Sequence, residues 1–287
     1  MLYRIEYFTN AAAENFPTVL VVNDSGLVEL RVHTNDDDRT QGIGLYSTTL
    51  SNAQLARFLS LVTSRSFLGE FDAAPAELGD VVRRFTITHG TAGPIVRSAR
   101  KTNDAMFSEA ETLAMQLVEQ ARKHPQLAAR LTFEQPQDLT ERVPTFIGLT
   151  LTNIGTERFW VPQKERWQQD QVDFSVFFRR RDVATGTTAR TDVSSLSRKE
   201  LTKVTPVANS DSQTDPLAAT VAEAGLGLKP TDGVTFIFYK QLKLEAGPYE
   251  LWGSVVLSLL DKHSQPRFAG ELVSAPVFAT CVDNFDM

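Results

Sequence analysis

The chain has 287 residues, 42% of them hydrophobic and 22% charged, with Lys+Arg 29 against Asp+Glu 35 and a net charge of −6. This is the composition of an ordinary globular protein, long enough to build two cores. Neither half carries a basic excess, which excludes a dedicated nucleic-acid binder, and the single cysteine, Cys281, excludes a disulfide framework and a cysteine metal site.

No apolar run reaches the roughly 18 residues that span a bilayer, so no membrane is expected as a partner. "MLYRIEYFT" alternates like a strand and lacks the pattern of a secretory signal. With so little cysteine, a reducing, cytoplasmic location is expected.

"LYRIEYF" predicts a first strand. "PTVLVVNDSGLVELRVH" predicts two more around a tight turn at Asn23 to Gly26. "LSNAQLARFLSLV" opens with Ser51 as N-cap and Gln54 three positions later, a capping box, with Leu50 and Leu55 placed as a hydrophobic staple. Leu55, Phe58, Leu59 and Val62 give that helix one apolar face. "RRFTITHGTAGPIVRSARK" predicts a second hairpin turning at His89 to Gly93. "NDAMFSEAETLAMQLVEQARKHP" predicts a long helix with Met106, Ala110, Leu113, Leu117 and Ala121 inward, stopped by Pro125. Two helices on one face of an antiparallel sheet make residues 1–125 an α+β domain.

"QLAARLTFEQPQDLTERVP" shows no sustained period, so 126–144 reads as a linker. The second half, 145–287, reads as all β. "TFIGLTLTNIGTERFWVP" turns through Asn153 and Gly155, and "QVDFSVFFRR", "VTFIFYKQLKL", "YELWGSVVLSLL", "RFAGELVS" and "PVFATCVD" follow as strands. A polar insertion at 182–233 is expected to add one or two edge strands and a short helix near Asp215 and Pro216, with "TPVANSDSQTD" mobile.

"LEAGPYEL" carries the most shaped signal. Leu244 would pack inward, Gly247 would allow a turn, and Tyr249 would start the next strand and hydrogen-bond backbone upstream of itself. These residues resemble the tyrosine corner of immunoglobulin-like Greek-key domains, including the bacterial intracellular proteinase inhibitor type, over about half of the chain. The resemblance implies an immunoglobulin-like β-sandwich and is nearly silent on function. The element order of the first half loosely resembles small bacterial domains of unknown function.

Alternation from Tyr249 places Leu251, Gly253, Val255 and Leu257 on one face and Trp252 with Val256 on the other. That tryptophan needs a cover. The first domain or the insertion would supply one, and otherwise Trp252, Val256, Phe177 and Arg179 form a partner-binding patch. "FFRRRD", the one dense basic run, reads as a protected sheet edge rather than a nucleic-acid groove.

The remaining motifs favour turns and loops. Asp24-Ser25-Gly26 matches an aspartic protease tripeptide but has no second copy, and it suits a hairpin turn. His33, Asp36, Asp37 and Asp38 concentrate in one acidic loop without the spacing of a calcium site. "GIGLYS" and "GLGLKP" lack the third glycine and the βαβ context of a dinucleotide site and read as loops. No paired metal ligands, phosphate loop or nucleophile elbow occurs, so no catalytic residue, metal or cofactor is assigned. The expected function is non-catalytic binding of another protein, in its narrower form as an inhibitor or immunity-type protein. The alternative is an enzyme with an interdomain site built on His33, Asp36 and Asp38.

Overall fold

The computed structural model describes residues 3–9, 18–36, 38–69, 73–74, 83–91, 93–99, 101–102, 104–134, 136, 139–168, 171–181, 190–207, 221–222 and 225–283. The chain is mostly β, with antiparallel sheets and few helices. Its contacts divide it into two compact units, Met1–His33 with Gly44–Gln126, and Thr34–Ile43 with Leu127–Met287.

The first unit holds β1 (Tyr3–Thr9), β2 (Thr18–Asn23), β3 (Leu27–Val32), β4 (Ile43–Thr49), α1 (Asn52–Val62), α2 (Arg65–Leu68), β5 (Ala73–Ala74), β6 (Arg83–His89), β7 (Ile95–Ala99), β8 (Lys101–Thr102) and α3 (Ala105–Arg122). Its main sheet runs antiparallel in the order β7-β6-β1-β2-β3-β4. The Asp24-Ser25-Gly26 tripeptide forms a hairpin turn, because Asn23 Oδ1 accepts from the Ser25 and Leu27 N–H groups at 3.1 Å each. Both halves of the capping box form at Ser51. Its Oγ accepts from Gln54 N–H at 3.3 Å, and Gln54 Oε1 accepts from Ser51 N–H at 3.0 Å.

Asp104 caps α3 by accepting from Phe107 N–H at 2.7 Å. The buried stripe of α3 is turned slightly from the expected one. Phe107, Ala114 and Val118 join Ala110, Leu117 and Ala121 inside, while Met106 and Leu113 stay half-buried. The cause is aromatic packing: Phe107 meets Phe85 edge-on at 5.5 Å, and Tyr7 lies 4.6 Å from Phe85. Glu111 then ties the helix to the sheet, accepting from Tyr7 Oη and from Arg83 Nη1 at 2.9 Å each. Burial, and next the charge of Glu111, hold the Tyr7 phenol far above its usual range, so it remains a donor.

The second unit holds β9 (Pro125–Glu134), β10 (Pro144–Asn153), β11 (Phe159–Val161), a 3-10 turn at Lys164–Arg166, β12 (Asp173–Arg180), β13 (Asp192–Leu196), β14 (Leu201–Val207), β15 (Val221–Ala222), β16 (Gly225–Leu228), β17 (Gly233–Gln241), β18 (Gly247–Leu260), β19 (Pro266–Val273) and β20 (Val277–Cys281). One antiparallel layer runs β14-β17-β10-β9. The other runs β13-β12-β18-β11-β16-β15, with β19 and β20 both along the far edge of the long strand β18. The layers meet face to face. Phe174 of β12 lies 5.0 Å from Phe236 and 5.2 Å from Phe238 of β17. Gly253 of β18 faces Leu149 of β10 so closely that a Cβ there would overlap it.

The expected linker at 126–144 begins as a full strand, β9, which buries Leu127, Ala129, Leu131 and Phe133. Two small alanines and the outward Arg130 and Glu134 hide that alternation in the sequence. Pro125 ends α3 only to begin β9, where its missing N–H is tolerated at the first position. "GIGLYS" and "GLGLKP" are strand, in β4 and β16, rather than loop. "FFRRRD" ends an inner strand, because the insertion supplies β13 outside β12. The insertion also supplies β14 at the edge of the other layer, whereas the expected helix near Asp215 and most of "TPVANSDSQTD" lie outside the described residues. Finally, Thr34–Ile43 belongs with the second unit, although it lies within the span expected for the first domain.

Candidate functional site

The opening residues of β18 form a clamped corner. Tyr249, buried, accepts at its Oη from the Glu245 backbone N–H at 3.2 Å, four residues upstream. Leu244 is buried beside it, and Gly247 adopts φ 141°, a conformation that a side chain would strain. Arg180, opposite Tyr249 in register, donates to Glu245 Oε2 at 2.8 Å and to the Ala246 carbonyl at 3.0 Å. Tyr249→Phe is expected to lower stability by about 1 kcal/mol, read in urea denaturation, since it removes one partly buried hydrogen bond. An unchanged midpoint would contradict a fastening role for the hydroxyl.

Three residues beyond, Trp252 faces away from the space between the layers and is nonetheless only 6% exposed. Phe177, its register partner on β12, stacks on it at 5.6 Å with the rings nearly parallel. Two cations complete the cover: the Arg39 guanidinium 4.8 Å above the indole and Arg179 at 5.7 Å. Arg179 is fixed by its cross-strand partner Glu250, and Arg39 by Asp36, to which its Nη2 donates at 2.8 Å.

Arg39 reaches the tryptophan because the 34–43 segment is fastened to the β19 edge. The side chain of Asn35 acts there as a short strand, with Oδ1 accepting from Val273 N–H at 2.7 Å and Nδ2 donating to the Val273 carbonyl at 2.8 Å. The same Nδ2 donates to the Gln41 carbonyl at 2.7 Å, closing the loop on itself. Thr34 bridges to Glu271 in parallel, and Gly42 leaves no room for a Cβ against the Ala129 carbonyl.

Glu271 is the perturbed group of this face. Burial chiefly, then the charge of Asp36, raise its carboxyl above the usual range, opposed by a hydrogen bond with Ser254. Because the folded carboxyl holds its proton more tightly than the unfolded one, stability falls as pH rises from the ordinary carboxylate range through the raised value, and is flat above it. Glu271→Gln is therefore expected to remove that slope and to be the more stable form at neutral pH, measured by denaturation at several pH values. Equal slopes in both proteins would refute the assignment.

Outward from Trp252 the face opens. Val193 of β13, opposite Phe177, is 60% exposed, and Phe278 of β20, opposite Glu250, is 55% exposed with Arg181 lying 4.9 Å over its ring. Phe177 and Val256 are half-buried. Of the four residues expected to form a patch, the structure thus gathers Trp252, Phe177 and Arg179 into one stack, while Val256 lies farther along β18, opposite Glu271. Sequence reasoning missed Arg39, Asn35, Val193 and Phe278. Only the alternation of "DVSSL" and "VFATC" could have suggested the last two.

The acidic loop acts structurally. Asp36 pairs with Arg39, and Asp38 accepts from Thr40 N–H at 3.2 Å and from Gln41 Nε2 at 2.6 Å. His33 belongs to the first unit and Asp36 and Asp38 to the second. Among the described residues no group of three or more His, Cys, Asp or Glu is arranged to hold a metal ion, and no helix is long and apolar enough to cross a membrane.

No protein-family model matches the chain, and no curated protein matches it. Among solved structures, one described as "AvmM Catalyzes Macrocyclization in Alchivemycin A Biosynthesis" is 11% identical at a TM-score of 0.28, over 55% of this chain and 88% of that one. Another, described as "Structure of Astrotactin-2, a conserved vertebrate-specific and perforin-like membrane protein involved in neuronal development", is 11% identical at 0.24, over 92% of this chain and 58% of that one. At these TM-scores neither likeness bears on fold or function.

Proposed function

We propose that this chain is a non-catalytic protein-binding protein, with a second unit of immunoglobulin-like sandwich type. Two facing antiparallel layers and the Tyr249–Glu245 bond support the sandwich reading. The observation that carries the function is the outward row Val193, Phe177 and Trp252, whose outer member is 60% exposed, with Phe278 nearby. Apolar side chains alongside arginines are the composition of a protein interface core. An enzyme inhibitor or immunity-type protein is the narrower form of the proposal, and a cytoplasmic location goes with it.

The test is affinity capture from lysate at physiological salt with the full chain, beside Val193→Asp and Phe278→Ser. A protein retained by the parent and lost by both variants, whose thermal unfolding is unchanged, supports the reading. Retention of nothing specific, or equal retention by all three, overturns it.

A further inference from the structure

We infer that the second unit binds a small, uncharged apolar molecule at the open edge between its two layers. A cavity of about 300 Å³ lies there, with Val161 and Leu226 contributed by one layer, Val204 and Phe236 by the other, and Trp167 among its walls. That volume falls at the lower end of small-molecule sites, about 300–1,000 Å³.

The register shows why the cavity opens. Val204 pairs with Phe236, and Phe236 points between the layers, where it touches Phe174. Val204 therefore points inward as well, yet it is 41% exposed, and Pro206, the next inward position, is also exposed. In a closed sandwich the inner faces cover one another. Leu201, the first inward position of β14, is buried, whereas from Val204 onward the inner face of the strand is exposed.

The lining selects the ligand. Trp167 is buried and its Nε1–H is already given to the Pro162 carbonyl at 3.3 Å, so the indole offers a ring and no free donor. Lys164 Nζ donates to the Leu201 carbonyl at 3.1 Å, and the neighbouring Glu165 pairs with Arg198 at 3.9 Å. The two charges of the lining are opposite in sign and both engaged, which favours an uncharged guest. Cavities lined by apolar side chains take up apolar molecules in preference to water. The site lies apart from the Trp252 face, and the inference stands without the protein-binding proposal.

The probe is uncharged N-phenyl-1-naphthylamine titrated into the full chain, with its own fluorescence and the quenching of tryptophan emission followed together. One saturable site is expected, with transfer from Trp167. Val204→Phe, which fills the cavity from an exposed position, is expected to weaken binding at least about ten-fold, while Phe278→Ser binds as the parent does. Val204→Asp, which places a charge on the lining, is a second variant expected to weaken binding should the phenylalanine disturb folding. Absence of saturable binding, or binding that both Val204 variants leave unchanged, overturns the inference.

Discussion

Asn35→Ala is expected to destabilise the second unit by about 2–4 kcal/mol and to shift Trp252 emission to longer wavelength. One buried amide makes three bonds, to Val273 N–H, to the Val273 carbonyl and to the Gln41 carbonyl. Truncation leaves strand-edge groups unpaired where water is excluded, and this costs more than the net worth of the bonds. It also removes the fastening that brings Arg39 over the indole. Urea denaturation gives the first effect. Emission and acrylamide quenching in a background carrying Trp160→Phe and Trp167→Phe give the second. Asn35→Asp retains the acceptor for Val273 N–H but turns a buried carboxylate oxygen toward the Val273 and Gln41 carbonyls, so its loss should equal or exceed that of the alanine variant. A parent-like midpoint with parent-like quenching would show that the loop is held by something other than Asn35.

Gly225→Ala is expected to cost a similar amount, about 2–4 kcal/mol, for an unrelated reason. Gly225 opens β16 with φ 133°, a region that side chains rarely adopt, and a Cβ there would overlap the Val161 carbonyl oxygen. The obstacle is backbone and cannot rotate away, so β16 would have to part from β11, to which it pairs through Val161 and Leu226. Thermal unfolding and amide exchange at Leu226 and Leu228 would report it, with fast exchange confined to β16 and β11. Gly93→Ala, where a Cβ meets nothing within 4 Å, is the matched control. Equal unfolding of the two variants would refute the crowding argument.

Local signals were legible in the sequence. The Ser51 capping box depends on residues three apart, and the turn at Asn23 on an amide reaching two and four residues ahead. The alternation of β18, which separates Leu251 and Gly253 from Trp252, follows from strand geometry alone. β9 was less legible, because alanine contributes little to an apolar pattern even when fully buried. The long basic run of β12 misled for another reason: whether a strand lies at an edge depends on what pairs beside it, and β13 comes from a polar segment of weak strand character.

That Trp252 needs a cover was legible, but not which side chain supplies it. Arg39 and Trp252 are more than 200 positions apart, and nothing local marks an arginine in an acidic loop as the lid of an indole. The cavity beside Val204 is equally non-local, since it exists only where two layers diverge.

By itself the sequence determined the type of its strongly patterned elements, the Asn23 turn, the Ser51 cap and the inward and outward faces of β18, because these depend on residues within a few positions of one another. Only the tertiary structure decided which unit holds the 34–43 segment, which strands lie at the edges, what shields Trp252 and where the layers stay open. Those features depend on side chains meeting across long chain separations, and their energy comes from burial and pairing that no local pattern encodes.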